Sequence, residues 1–147
     1  MSFQDNIRRA AIGGLVGGVA FGVMMGMMGV LPMIGSMIGL PNAAAGFGVH
    51  MMMSAGIGAG FALVAGAFAG HSSATVFAAA SYGAAWWVLG PLTFMPWVMG
   101  MGFAANLNAA GAAAALPSLL GHLVFGVLLG ITYDRLGRTE DATAIAA

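Results

Sequence analysis

Two histidines in apolar segments are the residues best placed to do chemistry in this chain. His50 and His122 each begin a row of small residues that are spaced by four. The row that begins at His50 continues with Ser54, Gly58 and Ala62. Residues four apart share a helix face, so the rows predict that both imidazoles point toward neighbouring helices. An ionisable side chain in such a setting is a candidate functional site. The alternative is two neutral rings that hydrogen-bond across helices as packing contacts.

Methionine, with 13 residues, indicates which ligand the two histidines could hold. Thioethers and imidazoles both suit Cu(I), and a pair of imidazoles also ligates haem iron. The sequence therefore predicts His50 and His122 as ligands of copper or haem b, as the alternative to a chain without a cofactor. The methionines near these segments are Met24, Met25, Met27, Met28, Met33, Met37, Met51, Met52, Met53, Met95, Met99 and Met101.

Other kinds of site have little support in the sequence. The chain has no cysteine, which excludes disulfides, thiolate metal sites and cysteine nucleophiles. Ser54, Ser81 and Ser118 lack a recognisable base with a group to orient it, and the apolar segments contain no pair of carboxylates for acid–base catalysis. The protein is therefore predicted not to be an enzyme. No basic patch is present to bind nucleic acid.

Charge is absent from the whole middle of the chain, which indicates that this part lies in lipid. No Asp, Glu, Lys or Arg occurs from Ala10 to Tyr133, and the mean hydropathy is +0.97. Water-soluble folds carry charge on typically about a quarter of their residues. Membrane lipid is therefore the predicted surrounding. The charged residues at the two ends are Asp5, Arg8, Arg9, Asp134, Arg135, Arg138, Glu140 and Asp141.

The 147 residues suffice for one transmembrane domain, 1–147. A spanning helix needs about 20 apolar residues, so we expect an all-α, integral membrane four-helix bundle made of two tandem helical hairpins. Proline suggests boundaries, because Pro32 follows the first span and Pro117 suits the start of the fourth. The predicted spans are about 7–31, 44–69, 74–90 and 117–136, with interfacial or re-entrant segments at 32–43 and 91–116.

Arginine near both ends predicts how the bundle is oriented. Cytoplasmic loops carry an excess of Lys and Arg, and an even number of spans places both ends on one side. The sequence therefore predicts a multi-pass protein of the plasma (inner) membrane with both termini cytoplasmic. Trp86, Trp87 and Trp97 are then expected in the aromatic belt of the outer interface.

The two predicted hairpins look like copies of each other. The segment from His50 reads His-x7-Gly-x2-Phe, and the segment from His122 reads His-x7-Gly-x2-Tyr. A two-span unit repeated in tandem keeps its direction in the membrane. The repeat therefore predicts the two imidazoles at similar depth on neighbouring helices. Rows of small residues, typical of helix contacts in lipid, would bring the helices together.

Two stretches resemble a family of small prokaryotic four-span membrane proteins of unknown function. The first, 81–96, reads Ser-Tyr-Gly-Ala-Ala-Trp-Trp-Val-Leu-Gly-Pro-Leu-Thr-Phe-Met-Pro, and the second, 121–133, contains His-x3-Gly-x3-Gly-x2-Tyr. The family has a similar histidine early in its second span. The resemblance covers residues 10–136 and implies the four-span architecture and the importance of His50 and His122. It implies no activity.

The function predicted from these features is non-enzymatic. The protein is expected to act as a helix-packing component of a homo-oligomer or of a larger membrane complex, with membrane lipid around it. The first alternative is a small copper or haem binding or transport protein that uses His50 and His122. The second is an oligomeric channel in which 91–116 re-enters the bilayer.

Overall fold

The computed structural model describes residues 2–68 and 71–146, apart from the side chains of Asp141 and 143–146, and every element in these residues is helical. This confirms the all-α prediction. A 3-10 turn, Gly66–Phe68, extends α3, and a π-helical segment, Val88–Phe94, joins α4 to α5. The α-helices are α1 Phe3–Met27, α2 Leu31–Ser36, α3 Ala43–Ala65, α4 Ser72–Trp87, α5 Met95–Val98 and α6 Ala109–Ala146.

Three stretches of helix are long and apolar enough to cross a membrane: Phe3–Met27, Ala43–Phe68 and Ala109–Glu140. They coincide with the first, second and fourth predicted spans, although the predicted end of the second span, at Ala69, lies outside the described residues. The third predicted span coincides with α4, whose 16 residues are too few on their own. Four spanning helices are therefore not confirmed.

The helices do not break where the predicted third span ends, before Pro91, or where the predicted fourth span begins, at Pro117. The chain stays helical past Pro91 to Val98, because the π-helical turn accommodates the proline and the Thr93 hydroxyl donates to the Val88 carbonyl oxygen at 2.9 Å. Helix α6 begins at Ala109 rather than at Pro117, since the stretch before the proline is mostly alanine, the residue with the highest helix propensity. The predicted connection 91–116 is therefore helical at both ends.

The first hairpin is formed by α1 and α3, which α2 joins at one end of the bundle. Ser2 and Asp5 cap the start of α1 reciprocally, and the Asn42 side chain accepts from the Ala45 amide at the start of α3. Gly14 and Gly58 bring the two backbones into contact, because a Cβ on Gly14 would lie 2.7 Å from the Gly58 Cα. This approach is the one that small residues permit between helices in lipid.

The second hairpin is formed by α4 and α6, and it packs on the first through α6. The close pairs in the bundle are α1 with α3, α1 with α6, and α4 with α6, whereas α3 and α4 touch sparsely. The start of α1 and the last turns of α6 lie at the same end of the bundle, since Arg8 on α1 donates to Glu140 on α6 at 2.8 Å. The start of α4 lies there too, because Ser72 donates to Asp134 at 3.0 Å.

Candidate functional site

A cavity of about 710 Å³ lies at the end of the bundle opposite the charged residues. Helix α3 lines one side, and α4, the π-helical segment and α5 line the other. Residues of α1, α2 and α6 complete the walls. We call it the histidine cavity, because both histidines singled out by the sequence, His50 and His122, are among its lining residues.

His50 is buried where α3 packs on α1. Its Nε2 atom lies 2.9 Å from the Gly18 carbonyl oxygen and 3.5 Å from the Ser54 hydroxyl. A carbonyl oxygen can only accept, so Nε2 carries the proton, and in the neutral ring Nδ1 keeps a lone pair. Gly18 makes the contact possible, since a Cβ there would lie 2.6 Å from the Ser54 side chain.

His122 is held in the opposite tautomer by its own helix. Its Nδ1 atom lies 2.8 Å from the Ser118 carbonyl oxygen one turn earlier, so Nδ1 carries the proton and Nε2 keeps the lone pair. A Cβ added to Gly90 of the π-helical segment would meet only Nε2, at 3.9 Å. The π-helical segment thus leaves open space beside the lone pair of His122.

Phe21 of α1 separates the two imidazoles, a role that the sequence did not reveal. Its ring centroid lies 5.4 Å from that of His50 and 4.7 Å from that of His122, with edge-to-face geometry at both. Gly121 leaves the space that the Phe21 ring occupies, because a Cβ there would overlap the ring. The prediction that the two imidazoles stand on neighbouring helices is therefore not confirmed, since the Phe21 ring lies between them and α3 and α6 are not among the closely packed pairs.

Five of the methionines also line the histidine cavity. They belong to the clusters that the sequence placed near the histidines, whereas other members of those clusters, such as Met27 and Met52, point outward and are largely exposed. Within residues 2–68 and 71–146, no group of three or more His, Cys, Asp or Glu side chains could hold a metal ion. A metal here would depend on thioethers as well as imidazoles. The five are Met25, Met28, Met33, Met53 and Met95.

The tryptophans predicted as an interfacial belt have three different surroundings. Trp86 lines the histidine cavity. The Trp87 indole nitrogen donates to the Ala115 carbonyl oxygen at 2.9 Å, in the turn of α6 that contains Pro117. Trp97 is exposed at the same end of the bundle. A belt position thus fits Trp97, while Trp86 and Trp87 make contacts inside the protein.

Tyr82 lies next to the histidine cavity, because it contacts Trp86 and Ile57, two of the lining residues. Its hydroxyl donates to the Ile57 carbonyl oxygen at 2.9 Å, and its ring centroid lies 5.5 Å from that of Phe61. These are the contacts that join α4 to α3. α3 and α4 otherwise touch sparsely, and His50 on α3 and Gly90 of the π-helical segment both line the cavity.

The opposite end of the bundle is closed by charge. Arg9 is buried at 3% exposure and donates through Nε to Glu140 at 2.8 Å and also through Nη2. Gly137 makes room for the guanidinium, since a Cβ there would lie 2.9 Å from Nη1 of Arg9. Arg138 pairs with Asp134 at 3.0 Å. Of the arginines that predicted the orientation, Arg8 and Arg9 thus also join α1 to α6.

Comparison of the chain with protein-family models, with curated proteins and with solved structures finds no match. The resemblance to small four-span membrane proteins stays a prediction from its motifs.

Proposed function

We propose that this chain is a non-enzymatic, four-span protein of the plasma membrane that binds a small ligand in the histidine cavity. The observation that carries the proposal is the meeting of both histidines at one apolar cavity, each with one ring nitrogen committed to a backbone carbonyl oxygen. Concave apolar sites with a few placed polar groups are the usual sites for small molecules. The sequence contains no carboxylate near the cavity for acid–base catalysis.

The four-span part of the proposal is supported by the helix that follows His71. α4, the π-helical segment and α5 follow one another without a break from Ser72 to Val98, which is long enough for a bilayer crossing. Charged residues of both termini meet at one end of the bundle. With the arginines on the cytoplasmic side, both termini face the cytoplasm and the histidine cavity lies in the outer half.

Single cysteines test this topology cleanly, because the chain has no cysteine of its own. We expect Ser2→Cys and Thr139→Cys to be protected from an impermeant maleimide in intact cells and to react after the membrane is opened. Ser36→Cys, at the other end of the bundle, is expected to react in intact cells. Labelling of Ser2→Cys and Ser36→Cys on the same side would contradict the topology.

Cu(I) and haem b are the occupants that the sequence predicts for the cavity. Cu(I) suits the thioethers of five methionines and two imidazole nitrogens with free lone pairs. Haem fits less well, because Phe21 separates the imidazoles and no cationic residue lines the cavity to bind propionates. Metal analysis and an absorption spectrum of the detergent-purified protein decide between them.

Ligand binding itself is tested by filling the cavity. Gly90→Leu places a side chain beside His122, while Gly48→Leu adds the same side chain on the outside of α3, where a Cβ would have no neighbour within 4 Å. Native mass spectrometry is expected to detect a bound mass in wild type and in Gly48→Leu and to lose it in Gly90→Leu. Equal retention by both variants would contradict binding at this cavity.

A second candidate function is the predicted role as a component of a homo-oligomer or larger complex. One observation favours it: Gly56 of α3 faces away from the bundle, between the exposed Met52 and Leu63. Small residues on a lipid-facing surface allow close approach of another helix. Cross-linking in native membranes is expected to capture an oligomer that Gly56→Leu weakens. A monomer at every cross-linker concentration would contradict this role.

A further inference from the structure

The two histidines can each accept a hydrogen bond from a molecule in the histidine cavity. Each ring donates its N–H to a carbonyl oxygen, of Gly18 for His50 and of Ser118 for His122. Each ring therefore keeps one lone pair without a partner in the chain. No described side-chain nitrogen or oxygen is both sealed from solvent and without a partner, so these lone pairs remain accessible to a molecule in the cavity.

The rest of the cavity wall is apolar and uncharged. Methionine, phenylalanine, isoleucine and tryptophan side chains make up most of it, and Ser54 and Ser118 are its hydroxyl-bearing residues. An occupant with a net charge would have no ion to pair with in these surroundings. The volume of about 710 Å³ is that of a site for a molecule with many heavy atoms.

The histidine cavity has an opening at the apolar surface of the bundle, because its lining residues Met33, Met53 and Phe94 are exposed. α3 and α4 touch sparsely beside the cavity, where the Tyr82 hydroxyl donates to the Ile57 carbonyl oxygen. An occupant that reaches the cavity from the bilayer passes this opening without crossing water. This route selects for molecules that dissolve in hydrocarbon.

We propose that the histidine cavity binds a neutral, lipid-soluble alcohol or phenol. Its hydroxyl donates its one proton to Nε2 of His122, which stands in the open space beside Gly90. Its hydrocarbon part lies against Met53, Trp86 and their apolar neighbours. The proposal rests on the proposed ligand-binding function and adds the chemical class of the ligand.

A lipid acyl chain and Cu(I) are two other occupants that the lining of the histidine cavity could hold. A lipid acyl chain would fill the apolar volume but would leave Nε2 of His122 unpaired in hydrocarbon, which is unfavourable. Cu(I) would use the same nitrogen lone pairs together with methionine sulfurs. The hydroxyl group is therefore what the test must vary.

Farnesol and farnesyl methyl ether form a matched pair of probes, because the ether keeps the hydrocarbon chain and lacks the donor. We expect tritiated farnesol to bind the detergent-purified protein and to be displaced by unlabelled farnesol at about tenfold lower concentration than by the ether, the effect of about one hydrogen bond. His122→Leu is expected to abolish this preference. Gly90→Leu is expected to abolish binding of both probes, and Gly48→Leu to leave both unchanged.

The outcomes separate the ligand class from the proposed function. Equal affinity for alcohol and ether in wild type and in His122→Leu would overturn the proposal and indicate an acyl-chain site. Copper retained in proportion to protein, and lost in Gly90→Leu, would overturn the alcohol while leaving ligand binding intact. Absence of any bound molecule or metal in well-folded protein would overturn both. Circular dichroism and gel filtration of each variant establish that it is folded.

Discussion

The contact between the two helices of a hairpin is alike in both hairpins. The two contacts between the hairpins, α1 with α6 and α3 with α4, differ from each other. In the first hairpin Gly58 lies against Ala10 and Gly14, and in the second Gly130 lies against Thr75 and Val76. Between hairpins, α1 and α6 pack closely, but α3 and α4 touch sparsely. A strictly symmetric pair of hairpins would make these two contacts alike.

One pair of corresponding residues accounts for much of this difference. If Ala10 is matched with Thr75, then Gly17 of α1 corresponds to Tyr82 of α4. Gly17 lets the α6 backbone approach, since a Cβ there would lie 3.1 Å from the Phe125 Cα. Tyr82 instead places a ring between α4 and α3. The size of one side chain thus distinguishes the close contact of α1 with α6 from the sparse contact of α3 with α4 beside the histidine cavity, which we call the open side.

The largest expected effect comes from the contacts that the hairpins share. Gly58→Leu in the first hairpin and Gly126→Leu in the second would each force a side chain into backbone atoms, because a Cβ would lie 2.7 Å from the Gly14 Cα and 2.8 Å from the Ala80 Cα. We expect each to lower the free energy of unfolding by about 3 kcal/mol or more. Unfolding of purified protein in mixed micelles measures the effect.

Gly56→Leu is the matched control for Gly58→Leu, two residues away on the same helix. A Cβ at Gly56 has no neighbour within 4 Å, so we expect the stability of the isolated bundle to be nearly unchanged. If the two variants were equally unstable, helix propensity rather than close packing would explain the loss. If Gly58→Leu and Gly126→Leu differed widely, the two hairpins would not be equivalent.

The closed interface between hairpins is expected to be less sensitive than the contacts within them. Gly17→Leu would push α6 away from α1 at Phe125, at a cost of about 1–3 kcal/mol. Some of the strain can be relieved, because the two hairpins can separate slightly without losing their own contacts. Val16→Leu, on the exposed neighbouring position, is the control. A loss as large as that of Gly58→Leu would remove the distinction between the two kinds of contact.

Much of the fold follows from the sequence because composition and periodicity are local properties. The charge-free middle predicts the apolar helices, and glycines spaced by four predict the faces that meet, as Gly14 and Gly58 do. Proline was misleading at Pro91 and Pro117. Its cost depends on whether a neighbouring residue satisfies the backbone, and here Thr93 and an alanine-rich helix start keep the chain helical.

The histidine cavity is only partly predictable from the sequence, because it depends on how distant helices are placed relative to one another. His50 and His122 were identified because they stand on small-residue rows, and the structure brings them to one cavity. The position of Phe21 between them depends on the rotation of α1 relative to α6, which no local pattern encodes. A possible signal was Gly121, whose missing side chain leaves room for the ring. The open side likewise depends on Tyr82, which alone in sequence is an ordinary aromatic residue.

Charge at the closed end of the bundle offers a comparison between two adjacent arginines. Arg9 is 3% exposed and Arg8 is 66% exposed in its side chain, and both donate to Glu140. We expect Arg9→Gln to lower the free energy of unfolding by about 1–3 kcal/mol, because it removes buried hydrogen bonds to a carboxylate. Arg8→Gln is expected to have little effect, since exposed ion pairs contribute little. Unfolding in detergent at low and high salt measures both.

A result in which salt removes the Arg9 effect would place that side chain in water and contradict its burial. Buried pairs are screened weakly, whereas exposed pairs lose most of their interaction within a Debye length of about 10 Å at 0.1 M salt. The Arg9 effect should therefore persist at high salt and any Arg8 effect should disappear. The ion pairs of Arg8 and Arg9 with Glu140 also join α1 to α6 at this end of the bundle. Among the described residues, no charged pair joins α3 to α4.

The smallest expected effect is at the open side, where Tyr82→Phe removes the hydroxyl that joins α4 to α3. The Ile57 carbonyl oxygen lies within α3 and keeps its helical hydrogen bond, so the variant leaves no unpaired acceptor. We expect a loss of about 1 kcal/mol or less. The ring still separates the helices, so the histidine cavity should keep its size, whereas Tyr82→Gly should let α3 approach α4 and reduce it. If Tyr82→Gly left probe binding in the cavity unchanged while the protein stayed folded, residue size at this position would not explain the difference between the two interfaces.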